Sequence, residues 1–260
     1  MIKLILTSLG FTLLLTLAAP CSAAEGTGQE THAQKAVLIT GASTGIGRKI
    51  AEDLAQQGHF VYAGARKQKD LDALNQIKNI QAVRLDVTIQ AEIDAAVETV
   101  RKGGKGLFGL VNNAGVYIGG PLIEVDIEEL QWIMDINVNG VYRVTQAFAP
   151  MIIESKGRIS TISSISGINT GRFSGHYSMS KHAVEAYTDA LALEMEKFGV
   201  QVSVIEPGNY DSAIGVSAKK RMSDKLSAAA SPYYSEELTE WLKGSWERGQ
   251  YKGPGEVSEA

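Results

Sequence analysis

The sequence predicts an α/β domain: a doubly wound parallel sheet with helices on both faces. Three observations carry that expectation. Between Ala36 and Ile205, short apolar runs alternate with amphipathic segments long enough for helices, the pattern of parallel strands joined by helical crossovers. A glycine-rich turn, GASTGIG, follows the first apolar run at once and opens into a helical pattern, which builds an anion site at the carboxyl end of a strand. The 260 residues are 44% hydrophobic and 21% charged, enough for one large core. A formal net charge of −4 without a basic stripe gives no sign of a nucleic-acid partner. No cluster of metal ligands is visible, and the histidines (His32, His59, His176, His182) are scattered.

The N-terminus reads as a targeting segment. Lys3 precedes the apolar run LILTSLGFTLLLTLAA, and small residues follow through Ala24. A charged start, a short apolar core and a small-residue exit describe an export signal cleaved near Ala23 or Ala24, whereas a membrane span needs about 20 apolar residues. The expectation is export to a periplasm, the exterior or an endoplasmic-reticulum lumen. The alternative is an uncleaved anchor through residues 4–19. Lys3 is the only charge before Glu25, so a chain starting at Glu25 carries −5. Cys21, the sole cysteine, lies inside this segment, which leaves the redox compartment undecided. Residues 25–35 form a polar linker and residues 36–260 a single domain.

The domain is expected to begin with the strand Ala36–Thr40, whose AVLIT run is apolar. Gly41, Gly45 and Gly47 then let the backbone approach a pyrophosphate, with free N–H groups of the following helix, Arg48–Gln57, pointing at it. Gly58 stops that helix. Strand His59–Ala63, helix Asp70–Ile77, strand Ile80–Leu85, helix Ile89–Lys102 and strand Leu107–Val111 continue the alternation. A long helix starts at Asp126, where Asp126 and Glu129 have the spacing of a capping box. After the central strand and helix, Phe198-Gly199 provides a glycine C-cap, and Gln201–Ile205 is the last strand. Residues 212–249 are polar, helical in pattern and dotted with Tyr233, Tyr234, Trp241 and Trp246. They read as a lid over a substrate or as a surface helix pair.

Chemistry concentrates between Gly157 and Lys181. A buried strand, Arg158–Ser163, leads through a polar loop into a helix carrying Tyr177 and Lys181. Residues four apart share a helix face. A fixed positive charge beside a phenol lowers its pKa from about 10 towards neutrality, which suits a proton donor and acceptor. Ser164 ends the strand, placed to share a substrate oxygen with Tyr177. By itself the pair also fits an ordinary amphipathic helix. His176, next to Tyr177, is the one histidine placed to neighbour a substrate.

Taken jointly, the motifs resemble those of the short-chain dehydrogenase/reductase family. They are Thr40-Gly41-Ala42-Ser43-Thr44-Gly45-Ile46-Gly47, Asp86-Val87-Thr88, Asn112-Asn113-Ala114-Gly115, Asn137, Ser164, Tyr177-x-x-x-Lys181 and Pro207-Gly208. The resemblance covers Lys35 to Ser212 and is most similar to retinol- and hydroxysteroid-dehydrogenase-like members. It implies a Rossmann fold and a catalytic set of Asn137, Ser164, Tyr177 and Lys181. Tyr177 would be the general acid/base and Lys181 would lower its pKa and hold the nicotinamide ribose. Ser164 would polarise the carbonyl, and Asn137 would position a water linking Lys181 to solvent. The cofactor would contact Gly41, Ser43, Thr44, Gly45, Ile46, Gly47, Arg66, Asp86, Val87, Asn113, Ala114, Gly115, Tyr177, Lys181, Pro207 and Gly208. Asn113 and Asn137 alternatively brace sheet and helix, and Pro207-Gly208 alternatively makes only a turn. Ser212 stands where the family more often has threonine.

Cofactor choice rests on the end of the second strand, where members preferring NAD carry an acid. Here Ala65 stands there, followed by Arg66, which can hold a 2′-phosphate bidentately. The expectation is NADP(H), with NAD(H) the alternative and Arg48 a lesser contributor. Tyr117, Ile118, Arg172, Phe173 and residues 212–249 would form a pocket for a lipophilic ketone or secondary alcohol. A 3-oxoacyl thioester is the alternative substrate, and a non-catalytic nucleotide-binding module the alternative of another class. Family members pair through helices equivalent to Asp126–Ile153 and Tyr177–Phe198, implying a homodimer or homotetramer. Relatives also continue past the last residues here into a full helix and an edge strand, which are expected to be missing.

Overall fold

The computed structural model describes residues 34–210, 213–225, 230–244 and 253–259. The targeting segment with Cys21 and nearly all of the polar linker lie outside them, as do Ser212 and Trp246. Among the described residues no helix is long and apolar enough to cross a membrane.

Six strands form one parallel sheet in the order β3-β2-β1-β4-β5-β6. They are β1 (Ala36–Ile39), β2 (Phe60–Ala65), β3 (Ile80–Arg84), β4 (Gly109–Asn112), β5 (Arg158–Ile162) and β6 (Gln201–Ile205). The crossovers contain α1 (Gly45–Gln56), α2 (Gln68–Asn75), α3 (Gln90–Lys102), α4 (Ile127–Met134), α5 (Gly140–Glu154) and α6 (Gly175–Met195). Strand order reverses between β1 and β4, and a crevice at such a switch point is where doubly wound sheets bind ligands.

The strands sort their side chains by the period of two. Val37 and Ile39 face α1 and α2, packing with Ile50, Ala51, Ala55, Leu71 and Leu74. Ala36 and Leu38 point the other way, into a core shared with Ile93, Val144, Phe148 and Ile152. Both faces are buried, as helix crossovers on a parallel sheet require.

Most boundaries move by one to three residues. Helix α1 starts at Gly45 rather than Arg48, so its first turn is built from the glycine motif itself. Strand β2 extends to Ala65, paired in register with Arg84. The capping box does not form as expected: Asp126 is the N-cap but accepts no side-chain cap hydrogen bond. Glu129 instead takes two hydrogen bonds from Arg221, at 2.6 and 2.9 Å. The long helix is also not uniform. A π segment, Asp135–Asn139, joins α4 to α5, and such bulges recur at functional sites.

Beyond β6 come α7 (Ala213–Lys225), α8 (Ser235–Gly244) and α9 (Gly255–Glu259). Val257 of α9 is buried, and the Ser258 hydroxyl donates to the Asp53 carboxylate on α1. Tyr210 donates to Glu256 at 3.1 Å. Among the described residues no strand pairs with the outer side of β6.

Candidate active site

The glycine turn is laced to the end of β4. The Thr40 hydroxyl accepts the N–H groups of Asn113 and Ala114 at 3.0 and 2.9 Å. The Asn113 amide in turn donates to the carbonyls of Thr40 and Gly41, at 2.9 and 3.1 Å. Gly41 sits at φ +65°, and a Cβ there would lie 2.8 Å from the Ala114 backbone. A Cβ on Gly47 would fall 2.2 Å from the Asn113 side-chain nitrogen. Both glycines therefore let two turns meet. At the start of α1, Thr44 makes no side-chain cap and the first turn carries no acid. Its leading N–H groups and the positive end of its dipole thus stay available to an anion. That cradle fits the pyrophosphate of a dinucleotide. Ser43 and Ile46 are half-buried and Thr44 is exposed at its rim.

Arg66 follows β2 and is exposed, with its guanidinium 3.5 Å from the Asp86 carboxylate. Burial pushes Asp86 up, but hydrogen bonds from Thr88 and the Arg66 charge outweigh it and hold the carboxyl below its ordinary value. Val87 is buried against Gly140, where a Cβ would lie 2.5 Å from it. Arg48, the lesser candidate, is paired with Glu52 at 2.5 Å.

The catalytic candidates converge where β5 hands over to α6. Lys181 is buried and donates to the carbonyl of Ile162, the last residue of β5, at 2.8 Å. Its Nζ lies 5.7 Å from the Tyr177 ring centroid, so phenol and ammonium share a helix face. Ser164 caps the 3₁₀ turn Ile165–Gly167, its Oγ accepting the Ser166 N–H at 3.1 Å. The crevice and these residues are one place: a Cβ on Gly115 would lie 3.5 Å from Asn137 Oδ1 and 3.8 Å from Lys181 Nζ. Pro207 is buried, and its carbonyl accepts the Ile165 N–H at 3.1 Å, while Gly208 is exposed.

One expectation needs correction. The phenol is not acidic here: burial pushes Tyr177 up to about 12, a hydrogen bond with Ser164 only partly offsets this, and Tyr117 adds to it. Burial disfavours the phenolate, and Lys181 is itself pushed down to about 8 by burial. At Asn137 the side chain takes up the bracing use that was the alternative. Its Oδ1 accepts the Val116 N–H at 2.8 Å, and its Nδ2 donates to the Val116 carbonyl and to Ser180 at 2.9 and 3.0 Å. It braces the π segment against the strand end.

The substrate side departs further. Ile118 is fully buried with Ile133 and Met222 of α7, so it belongs to the core. Phe173, at φ +62°, is buried edge-on against Tyr234, just before α8, and Trp241 within it, with ring centroids 5.6 and 5.7 Å away. Arg172 is exposed with its guanidinium 5.8 Å from the Phe173 ring. Tyr117 does reach the site, its ring 4.8 Å from that of Tyr177 and its hydroxyl 3.0 Å from Ser174. His176 is 2% exposed, and burial pushes it below its ordinary value, which makes it a neutral interior residue. Helices α7 and α8 dock on the domain, with Met222 and Leu238 buried.

Sequence reasoning missed Ser180, whose hydroxyl accepts from Asn137 and donates to the Tyr177 carbonyl at 2.7 Å. It also missed Thr40 as the knot of the glycine turn. Neither carries a signal, since a serine in a helix or a threonine ending a strand is commonplace.

Comparison with known proteins gives a consistent picture. The family described as short chain dehydrogenase matches residues 35–223. Mitochondrial D-beta-hydroxybutyrate dehydrogenase of Bos taurus is 36% identical over 224 residues, which is 82% of this chain and 64% of that protein. The 17-beta-hydroxysteroid dehydrogenase type 6 of Bos taurus is 40% identical over 190 residues, or 71% and 60%. The chain spans about three fifths of the length of such curated relatives. A variant of actinorhodin polyketide ketoreductase with NADPH superposes with a TM-score of 0.73 at 31% identity, covering 87% of this chain and 88% of that one. A Burkholderia phymatum short chain dehydrogenase/reductase in complex with NAD gives 0.74 at 26% identity, covering 87% and 83%.

Proposed function

The chain belongs to the short-chain dehydrogenase family, and on that premise we propose that it is an NADP(H)-dependent oxidoreductase interconverting a lipophilic ketone and its secondary alcohol. One observation carries the reading: Tyr177 and Lys181 share a face of α6 beside Ser164, with Lys181 near Gly115, whose neighbour Ala114 meets the glycine turn before α1. A bound nicotinamide cofactor would supply or accept the hydride. Around it Gly45 to Gly47 would hold the pyrophosphate, Asn113 to Gly115 and Pro207-Gly208 would line the cleft, and Lys181 would hold the ribose. Ser164 hydrogen-bonds the substrate oxygen. Tyr177 gives that oxygen a proton in reduction and takes it back in oxidation. A phenol pushed up to about 12 stays protonated at neutral pH, which suits the donor role in reduction.

NADP(H) is favoured by Ala65 at the end of β2, the position where an acid would repel a 2′-phosphate, and by Arg66 exposed beside it. A lipophilic substrate is favoured by the aromatic surroundings of Tyr117 and by likeness to the hydroxysteroid dehydrogenase. The runner-up, a 3-oxoacyl thioester, draws support from likeness to the polyketide ketoreductase. Pairing into a homodimer or homotetramer is favoured by exposed apolar residues on α5 and α6, Tyr142 and Leu193. Export or anchoring rests on residues 1–24 alone.

The test is NADPH oxidation with a panel of ketones that includes a steroid ketone and a 3-oxoacyl thioester. Tyr177→Phe should lower turnover about 100- to 10,000-fold while cofactor binding, read by fluorescence, persists. If cofactor binds, no carbonyl turns over and Tyr177→Phe changes nothing, the protein is a nucleotide-binding module and the proposal fails.

A further inference from the structure

Strand β2 pairs with β3 one residue further than its backbone ladder allows. The register ends with Ala65 opposite Arg84, and the Leu85 N–H reaches the Ala65 carbonyl at 3.0 Å. The next carbonyl, that of Arg66, lies past the end of the strand. The Arg84 guanidinium donates to it at 2.8 Å. A side chain thus serves the carbonyl as a backbone N–H does inside the ladder. Arg84 is held in turn by Glu92 in the first turn of α3, whose Oε1 lies 3.9 Å from the guanidinium. The other oxygen of that carboxylate accepts the Asp86 N–H at 2.7 Å. Asp86 stands 3.5 Å from the Arg66 guanidinium, so the chain of contacts closes on Arg66. Each contact is modest alone, since 52% of the Arg84 side chain is exposed. Together they fix the backbone from which the Arg66 side chain projects.

We propose that Arg84 is a positioning residue for cofactor selection: by holding the Arg66 carbonyl it aims the Arg66 guanidinium at the ribose 2′-phosphate. This rests on the NADP(H) reading above. A guanidinium grips a phosphate through two parallel N–H bonds, and that grip depends on the direction from which the planar fork arrives. The Arg66 side chain is 60% exposed with a single carboxylate beside it at 3.5 Å, too loose a contact to set that direction. Its backbone therefore sets it, and the Arg66 carbonyl is the backbone atom that Arg84 holds. A binding group held in place beforehand loses less freedom when the ligand arrives. Glu92 belongs to the same device, because one carboxylate keeps Arg84 and the Asp86 turn in fixed relation.

The experiment is isothermal titration of the full-length protein with adenosine 2′,5′-bisphosphate, which carries the 2′-phosphate, and with AMP, which lacks it. Arg84→Gln should weaken the bisphosphate about three- to tenfold and AMP less than about twofold. In an Arg66→Ala background the same change should add nothing to the loss, because Arg84 acts through Arg66. Arg84→Lys, which keeps a donor for the carbonyl, should lose less than Arg84→Gln. Equal losses for both ligands mean that Arg84 only keeps the strand end folded, and they overturn the proposal. So does an unmoved bisphosphate affinity. The same selective loss in the Arg66→Ala background means that Arg84 meets the phosphate itself, which overturns it too. If Arg84→Gln does not fold, Glu92→Gln takes its place, leaving an oxygen for the Asp86 N–H but no charge for Arg84. A selective loss there supports the proposal, and none overturns it. A second readout needs no ligand: the carbonyl carbon resonance of Arg66 should move in Arg84→Gln. A wild type that binds AMP as tightly as the bisphosphate, with that resonance still moving, refutes the NADP(H) reading and leaves Arg84 as the residue that positions Arg66. A wild type that prefers the bisphosphate, without a selective loss in Arg84→Gln, refutes the positioning alone.

Discussion

Arg66 is held only loosely by its acidic neighbour. It reaches Asp86 at 3.5 Å while 60% of its side chain stays exposed, so the pair is weak and a phosphate can compete for the guanidinium. Arg66→Ala should weaken NADPH binding roughly tenfold or more and change NADH binding much less. Isothermal titration with both cofactors measures this, and equal losses would remove Arg66 from cofactor selection. At Tyr177 the residue type and spacing were legible in the sequence, yet its acidity was not. Spacing fixes which side chains share a helix face, whereas the surroundings of the phenol are set by Tyr117 and Ser164, which arrive from the segments after β4 and β5.

Helix α7 is fastened rather than laid on the surface. Arg221 grips Glu129 through two hydrogen bonds and stacks 3.6 Å over Trp132, while Met222 beside it is fully buried. The Ser231 hydroxyl adds a bond to Glu124 at 2.7 Å. Removing the guanidinium should cost on the order of 2 kcal/mol at this contact. Arg221→Ala is therefore expected to speed proteolysis within residues 205–245 and raise KM for the ketone more than it lowers kcat. Unchanged proteolysis and KM would mean that α7 is held by Met222 and its neighbours alone. In the sequence Glu129 had the spacing of a capping box, and only the partner on α7, 92 residues away, explains its other use. Likewise, nothing in Asp135–Asn139 announced a π segment. The extra residue lets Asn137 turn onto Val116 and Ser180.

The sheet of the described domain is covered on both faces, and part of its exposed apolar surface lies on α5 and α6. Tyr142 is 54% and Leu193 77% exposed, and Tyr142 meets Tyr187 across α5 and α6 with centroids 5.8 Å apart. If copies pair through these helices, Tyr142→Glu combined with Leu193→Glu should convert the oligomer to monomer in light scattering, with circular dichroism unchanged. A wild-type monomer would refute the pairing at once.

By itself the sequence determined the order of strands and helices, the glycine turn after β1, and the residues Ser164, Tyr177 and Lys181. Each is a local matter, set by periodicity, by backbone freedom or by spacing along one helix. Only the tertiary structure decided that Ile118 and Phe173 are interior, that Asn137 braces and that Glu185 Oε1 lies against Gly167. Those outcomes depend on burial and on partners far away in the chain, and both come into being only when the layers close.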